Sequence, residues 1–267
     1  MKRYLTIIFL TIIFCFNSLG SGQASSSIIR DDLNKFFTGY EGTFVLYDED
    51  SDRYTIYNEQ QSGVRLSPCS TFKIFNSLIG LESGVLDKED VFTLIKWNGQ
   101  QYPFPAWNRD HTLSSAIANS VVWYYQEVAR RVGNDRMEEY INKLQYGNQD
   151  ISGGIDQFWL RSSLKISARE QVELLKQLYN DKLPFAPDNM AVVRKIIVLS
   201  TSNDLVLSGK TGSAYQDGQY SLGWFVGCVE KNGHKYFFAT NILNGQDAHG
   251  GKAREISKLI LKELDLL

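Results

Sequence analysis

The chain has 267 residues, 43% hydrophobic and 22% charged, with a formal net charge of -2, three cysteines, five prolines and 21 glycines. These proportions exclude disorder, collagen-like repeats, disulfide miniproteins and multi-span membrane proteins. With 28 Lys+Arg against 30 Asp+Glu there is no basic excess to hold a phosphate backbone, so nucleic acid is not an expected partner.

Residues 1–24 read as a secretory signal peptide. Lys2 and Arg3 precede an apolar run from Tyr4 to Phe16, and a small, polar stretch from Asn17 follows. Gly22-Gln23-Ala24 is the preferred cleavage site, with Ser18-Leu19-Gly20 second; a retained anchor is the alternative, although the run is short for a bilayer span. Phe14 is too bulky before Cys15 for a lipoprotein site. Residues 25–267 are then one exported domain, periplasmic or secreted, with no membrane integration after the leader is removed. It keeps Cys69 and Cys228, expected as small buried residues first and as a bridge second. His111, His234 and His249 are scattered and form no zinc motif, so no metal is expected.

In chain order, Gly42–Asp48 and Tyr54–Asn58 are β-branched and aromatic runs around a polar turn, a predicted hairpin. From Ser70 to about Leu199 the apolar spacing becomes helical. Helices are predicted over Phe72–Leu81, Leu113–Val132, Asp135–Leu144, Ser167–Tyr179 and Asn189–Val198, with a capping box at Ser167 to Glu170. Strand signals return at Leu205–Lys210, Leu222–Glu230 and Tyr236–Asn241, and an amphipathic helix closes the chain from about Gly251 to Leu264. The fold class is therefore an α/β sandwich, in which N- and C-terminal strands pair into one antiparallel sheet and carry an inserted helical subdomain. The crevice between sheet and insertion is the default place for a site.

Ser70-Thr71-Phe72-Lys73 opens the first strong helix. Residues three apart share a helix face, so the Ser70 hydroxyl and the Lys73 amine can touch, a nucleophile beside a base. Ser-x-x-Lys recurs at Ser162 and Lys165, but the capping box that follows keeps this pair off a single helix. Lys210-Thr211-Gly212-Ser213 ends a predicted strand, where the lysine and hydroxyls can hold a carboxylate and the Ser213 amide can face an oxyanion. Ser120-Val121-Val122 lies inside a helical pattern and alone reads as a packed serine.

Taken in this order, Ser-x-x-Lys, Ser-x-Val and Lys-Thr-Gly resemble the penicillin-recognising serine enzymes. Ser120-Val121-Val122, Tyr146-Gly147-Asn148 and Trp159-Leu160 resemble the class D, or OXA-type, β-lactamases, and the likeness extends through Trp107-Asn108-Arg109-Asp110, Gly223–Gly227 and Lys252-Ala253-Arg254. The resemblance implies hydrolysis of a small β-lactam substrate through an acyl-enzyme on Ser70. It implies an oxyanion hole from the amides of Ser70 and Ser213, and Lys73 as the base. In this family that lysine is carboxylated by carbon dioxide, with no other cofactor, and Trp159 matches the tryptophan that holds the carbamate. Phe72, Phe75, Val121, Val122 and Trp159 would form the apolar pocket that favours a neutral Lys73 amine. By the same likeness Ser120 relays a proton to the lactam nitrogen with Lys210 close by, while Lys210, Thr211, Gly212, Ser213 and Arg254 bind the substrate carboxylate. Cys228 departs from the tryptophan many members carry there. The alternatives are a non-turnover β-lactam sensor and a D-alanyl-D-alanine peptidase. Sensors of this fold have a large membrane-embedded portion before the domain, whereas this chain has a short leader, which favours the free enzyme.

Overall fold

The computed structural model describes residues 25–245 and 247–267. The predicted leader lies outside the described residues. Seven strands, β1 (Ser26–Ile29), β2 (Glu41–Asp48), β3 (Arg53–Tyr57), β4 (Val198–Ser202), β5 (Leu205–Gln216), β6 (Gln219–Lys231) and β7 (His234–Leu243), form one sheet in the order β1-β3-β2-β7-β6-β5-β4. The helices are α1 (Glu59–Ser62), α2 (Lys73–Glu82), α3 (Leu113–Ala118), α4 (Val122–Val132), α5 (Asn134–Leu144), α6 (Ala168–Tyr179), α7 (Pro187–Ile196) and α8 (Gly250–Glu263). N-terminal strands thus join C-terminal ones, as expected: β2 runs antiparallel to β7 across the middle of the sheet. One pairing differs from the expectation, since edge strand β1 lies parallel to β3.

The inner strands of the sheet are buried on both faces, and strand period 2 sorts their residues between two cores. Val45, Tyr47, Trp224, Val226, Cys228, Phe237 and Ala239 face the helical middle. Their neighbours Phe44, Leu46, Phe225, Val229 and Phe238 pack with Ile256, Ile260 and Leu261 of α8. The β6–β7 hairpin turns on Asn232 and Gly233, both at positive φ (53° and 83°), the arrangement that matches strand twist in a two-residue turn. Ser167 caps α6 through the predicted box, accepting from the Glu170 amide while the Glu170 carboxylate accepts from the Ser167 amide. Such a cap contributes about 1 kcal/mol.

Three boundaries move, each for a local reason. Helix α7 starts at Pro187, whose fixed φ suits the first helical turn, and Val198 is instead drawn into β4 opposite Ser208. Strand β5 does not end at Lys210: Thr211, Gly212 and Ser213 stay in register with Phe225, Trp224 and Gly223, so Lys-Thr-Gly lies mid-strand. The helix predicted over Leu113–Val132 is two helices. Between them, Ser120 takes φ +54° while its amide bonds to the Ile117 carbonyl and the Val121 amide to that of Ala116. These two bonds make a Schellman closure, with serine in the left-handed position that glycine usually fills. Among the described residues no helix is long and apolar enough to cross a membrane.

Candidate active site

A single 3-10 turn, Cys69–Phe72, carries Ser70 into α2. Thr71 pins it, its amide and hydroxyl both donating to the Pro68 carbonyl, and Gln171 of α6 donates to the Thr71 hydroxyl at 2.8 Å. Cys69 enters the turn at φ +49°. Strand β5 packs directly on this turn, and Gly212 explains how: a Cβ there would come within 2.9 Å of the Pro68 carbonyl oxygen and 3.3 Å of the Ser70 amide nitrogen. The glycine lets the Lys-Thr-Gly strand lie against the backbone of Ser70.

Three elements then converge on two hydroxyls. Lys73 Nζ lies 2.6 Å from Ser70 Oγ and 3.3 Å from Ser120 Oγ; Lys210 Nζ lies 3.0 Å from Ser120 Oγ and donates to the Thr211 carbonyl at 3.0 Å. Ser70 and Ser120 are half-buried, whereas Lys73 is fully buried and Lys210 nearly so. No carboxylate pairs with either lysine among the described residues. Burial therefore pushes the Lys73 amine well below its ordinary range, and the charge of Lys210 adds to the effect. Burial likewise lowers Lys210 to about 7, helped by the charge of Arg254. Burial acts oppositely on the Cys69 thiol next to Ser70, raising it to about 11, so at neutral pH the thiol is protonated.

Phe72, Phe75, Val121 and Trp159 are all buried in the core on the helical side of the sheet, while Val122 is only half-buried at the first turn of α4. The ring of Trp159 packs on Phe72 and Phe158, and its indole N–H is buried without a hydrogen-bond partner. An orphaned buried donor is uncommon and leaves room for an acceptor. The loop that holds Trp159 is tied by Asn148, which accepts from the Lys165 amide at 2.7 Å and donates to the Ser163 carbonyl at 2.8 Å. Ser162 and Lys165 both lie outside helices in this loop, so the second Ser-x-x-Lys has no helical face to share.

On the open side, Ser213 accepts from the Gly250 amide at the start of α8, which brings that helix onto β5. Arg254, one turn further on, is exposed and lines the same cavity as Lys210 and Thr211. Cys69 and Cys228 are both buried free thiols, so the second expectation for them, a bridge, is not what the structure contains.

Several supporting residues escaped the sequence reading. Ser67 donates to the Trp159 carbonyl, accepts from the Arg161 amide and has its own carbonyl bonded by Trp224, fastening the segment before Ser70, the Trp159 loop and the sheet together. Tyr125 lies under the Lys73 amine, 5.6 Å from ring centre to Nζ. His249 caps α8. Only Gln171 had a legible signal, a polar residue on the apolar stripe of a predicted helix.

The lysine burial has a testable consequence for stability. Lys210 titrates near 7 when folded and near its ordinary 10.5 when unfolded, so between these values the unfolded chain binds more protons. Stability from this group rises with pH across that window and is lost as pH falls through 7. Lys210→Met should therefore flatten the rise of denaturant midpoint from pH 7 to 10.5; an unchanged slope would contradict the depressed amine. Lys73 acts in the same direction, so a residual slope is expected.

The sequence matches the penicillin binding protein transpeptidase domain over residues 42–262. It is 38% identical to the probable β-lactamase YbxI of Bacillus subtilis, over all of this chain and 99% of that one. It is 41% identical to the regulatory protein BlaR1 of Bacillus licheniformis over 88% of this chain, spanning 39% of that protein's length. Among solved structures, the class D β-lactamase BAT-2 superposes with a TM-score of 0.83 at 44% identity, covering 88% of this chain and 96% of that one. The chain belongs to the penicillin-binding transpeptidase-domain family, in its class D β-lactamase branch.

Proposed function

We propose that the protein hydrolyses β-lactam antibiotics through an acyl-enzyme on Ser70. The observation that carries this reading is the fully buried Lys73 amine 2.6 Å from Ser70 Oγ, which burial pushes toward its neutral form. A neutral amine has a lone pair to take the hydroxyl proton as Oγ attacks the lactam carbonyl carbon, a contribution of about 10²- to 10⁴-fold for a placed base. The amides of Ser70 and Ser213 stabilise the oxyanion, and each such donor is worth about 10²- to 10³-fold. As the ring C–N bond breaks, Ser120 passes a proton to the nitrogen and is reprotonated from Lys73. Lys210, 3.0 Å from the same hydroxyl, favours that transfer. Lys210, Thr211, Ser213 and Arg254 hold the substrate carboxylate, and Gly212 admits it to the strand edge.

Turnover needs a second step, in which water attacks the acyl carbonyl with a base again at the Lys73 position. The apolar surround and neutral amine of Lys73 suit addition of carbon dioxide, and the unpartnered Trp159 N–H suits the carboxylate so formed. A carbamate there would supply an anionic oxygen base at the Lys73 position to take the proton of the attacking water. The leader-like residues 1–24 support export of the domain, to a periplasm or the exterior.

The 41% identity to BlaR1 favours one other reading, a β-lactam receptor that stops at the acyl-enzyme. Intact-protein mass spectrometry after a short exposure to penicillin distinguishes them. The hydrolytic reading expects one adduct that appears and then disappears as free drug is consumed; an adduct that persists after the drug is removed would favour the receptor.

A further inference from the structure

Helix α8 begins against the strand that carries Lys210, Thr211 and Ser213. A Cβ on Gly250, its first residue, would come within 2.7 Å of the Gly212 carbonyl oxygen and 2.8 Å of the Thr211 Cβ, and the Gly250 amide donates to Ser213 Oγ at 2.9 Å. The first turn of α8 thus rests on the Lys-Thr-Gly strand, and Arg254 follows one turn later. With its oxygen accepting from Gly250, the Ser213 hydroxyl keeps its proton for an anion. What holds this turn in place is His249. Its Nδ1 accepts from the Gly251 amide at 3.0 Å and the Lys252 amide at 3.3 Å, which satisfies two of the unpaired donors at the helix start. Tyr220 of β6 packs against the half-buried imidazole, with 5.3 Å between ring centres, and Ser221 pairs with Ala248 in an isolated bridge.

A histidine cap differs from the usual Ser, Thr, Asp or Asn cap in depending on its protonation. Only the neutral imidazole has a lone pair to offer at Nδ1. In the imidazolium both nitrogens are donors, and a positive charge at a helix N-terminus opposes the helix dipole. Histidine is also the side chain whose ordinary titration falls between pH 5 and 8. The titratable and charged groups on the surrounding elements are Tyr220 of β6, Lys210 of β5, Lys252, Arg254 and Glu255 of α8, and Asp247 in the loop before the helix. Of these, Glu255 is bound to Lys252 at 2.7 Å, and no carboxylate bonds the imidazole among the described residues. We infer that His249 is a positioning residue for substrate binding: as the neutral imidazole it holds Gly250 on Ser213 and Arg254 at the cleft, and on protonation it releases both. The inference rests on the hydrolytic reading and adds to it a control of binding by pH, separate from the proton transfers at Lys73.

The test follows kcat and kcat/KM for one penicillin between pH 8 and pH 5.5 in the wild type, His249→Asn and His249→Ala. Asparagine caps through an amide oxygen that does not titrate in this range, and alanine does not cap. The ratio of kcat/KM in the wild type to that in His249→Asn should fall by about 5-fold as the pH is lowered, the scale of one lost cap, while the ratio of kcat stays constant. His249→Ala should show the lowered kcat/KM at every pH. Lys73 and Lys210 titrate in all three proteins, so the ratio isolates residue 249. Plain loss of folded protein lowers kcat and kcat/KM together, which separates it from positioning. Constant ratios of kcat/KM between the wild type and His249→Asn would overturn the inference and leave hydrolysis intact. If Ser70 acylates without turnover, the second-order acylation rate takes the place of kcat/KM, and the hydrolytic reading alone fails. If Ser70 takes up no penicillin, both readings fall.

Discussion

Replacing Ser70 by alanine is expected to abolish both covalent uptake of a penicillin and hydrolysis, a loss of at least about 10⁴-fold, in a protein that still folds. The expectation of a folded variant comes from the bonding around the turn. Its backbone is held by Thr71 donating to the Pro68 carbonyl and by Gln171 on the Thr71 hydroxyl, whereas the Ser70 hydroxyl bonds only to the Lys73 amine. Circular dichroism and thermal midpoint should therefore stay near those of the parent. Mass spectrometry then reads the chemistry: labelling at another serine, Ser120 above all because its hydroxyl also contacts the Lys73 amine, would overturn the assignment of the nucleophile.

The second large effect belongs to Trp159. Trp159→Phe keeps an aromatic ring against Phe72 and Phe158 and removes the buried indole N–H that lacks a partner, together with the volume of one ring, so rescue by bicarbonate is the readout that separates the lost N–H from the cavity. If that N–H holds a carboxylate on Lys73, its loss removes a charge-assisted hydrogen bond of about 1.5–3 kcal/mol, or about 10- to 100-fold. Deacylation should slow by that factor and more than acylation does, and added bicarbonate should restore the rate. With ¹³C-bicarbonate, the parent should show a carbamate resonance that weakens in the variant. Equal steady-state rates for parent and variant, both indifferent to bicarbonate, would contradict a carbamate at Lys73.

How far the sequence could be read depended on the range of the interaction involved. The β2–β3 hairpin, α2, α5, α6 and the β6–β7 hairpin announce themselves through apolar period, a capping box and an Asn-Gly turn, all local signals. Strands β1 and β4 are four and five residues long and exposed throughout, so they carry no alternation to detect. The break at Ser120 was invisible for a different reason. Its neighbours keep helical spacing on both sides, and the left-handed residue is a serine instead of the glycine that would have marked the end of α3. The strain of that choice, about 1–2 kcal/mol, is borne by a residue whose hydroxyl faces both lysines.

The candidate site divides in the same manner. Ser70 and Lys73 were legible because residues three apart on a helix share a face, but Lys210, Ser120 and Arg254 could be assembled only through resemblance, since separations of 47 and 90 residues say nothing about distance. The roles of Ser67 and Gln171 depend on partners 92 and 100 residues away, so no spacing rule reaches them. The depth gradient of the site was equally hidden. Lys73 at zero exposure behind half-buried Ser70 and Ser120, with Arg254 open at the rim, follows from packing the Cys69–Phe72 turn on β5 and α2 on α4. That gradient explains how one of two neighbouring lysines can be a neutral base while an arginine nearby stays available for an anion.

The central claim, that the Ser70 acyl-enzyme is released by water, is tested most directly by counting turnovers. Purified mature protein is mixed with a hundredfold excess of a chromogenic cephalosporin in bicarbonate buffer, and product is followed against enzyme concentration. The account predicts a steady phase that consumes all of the substrate, many equivalents per active site, and that Ser70→Ala eliminates. A single burst of one equivalent with no steady phase would contradict it and leave the protein a receptor.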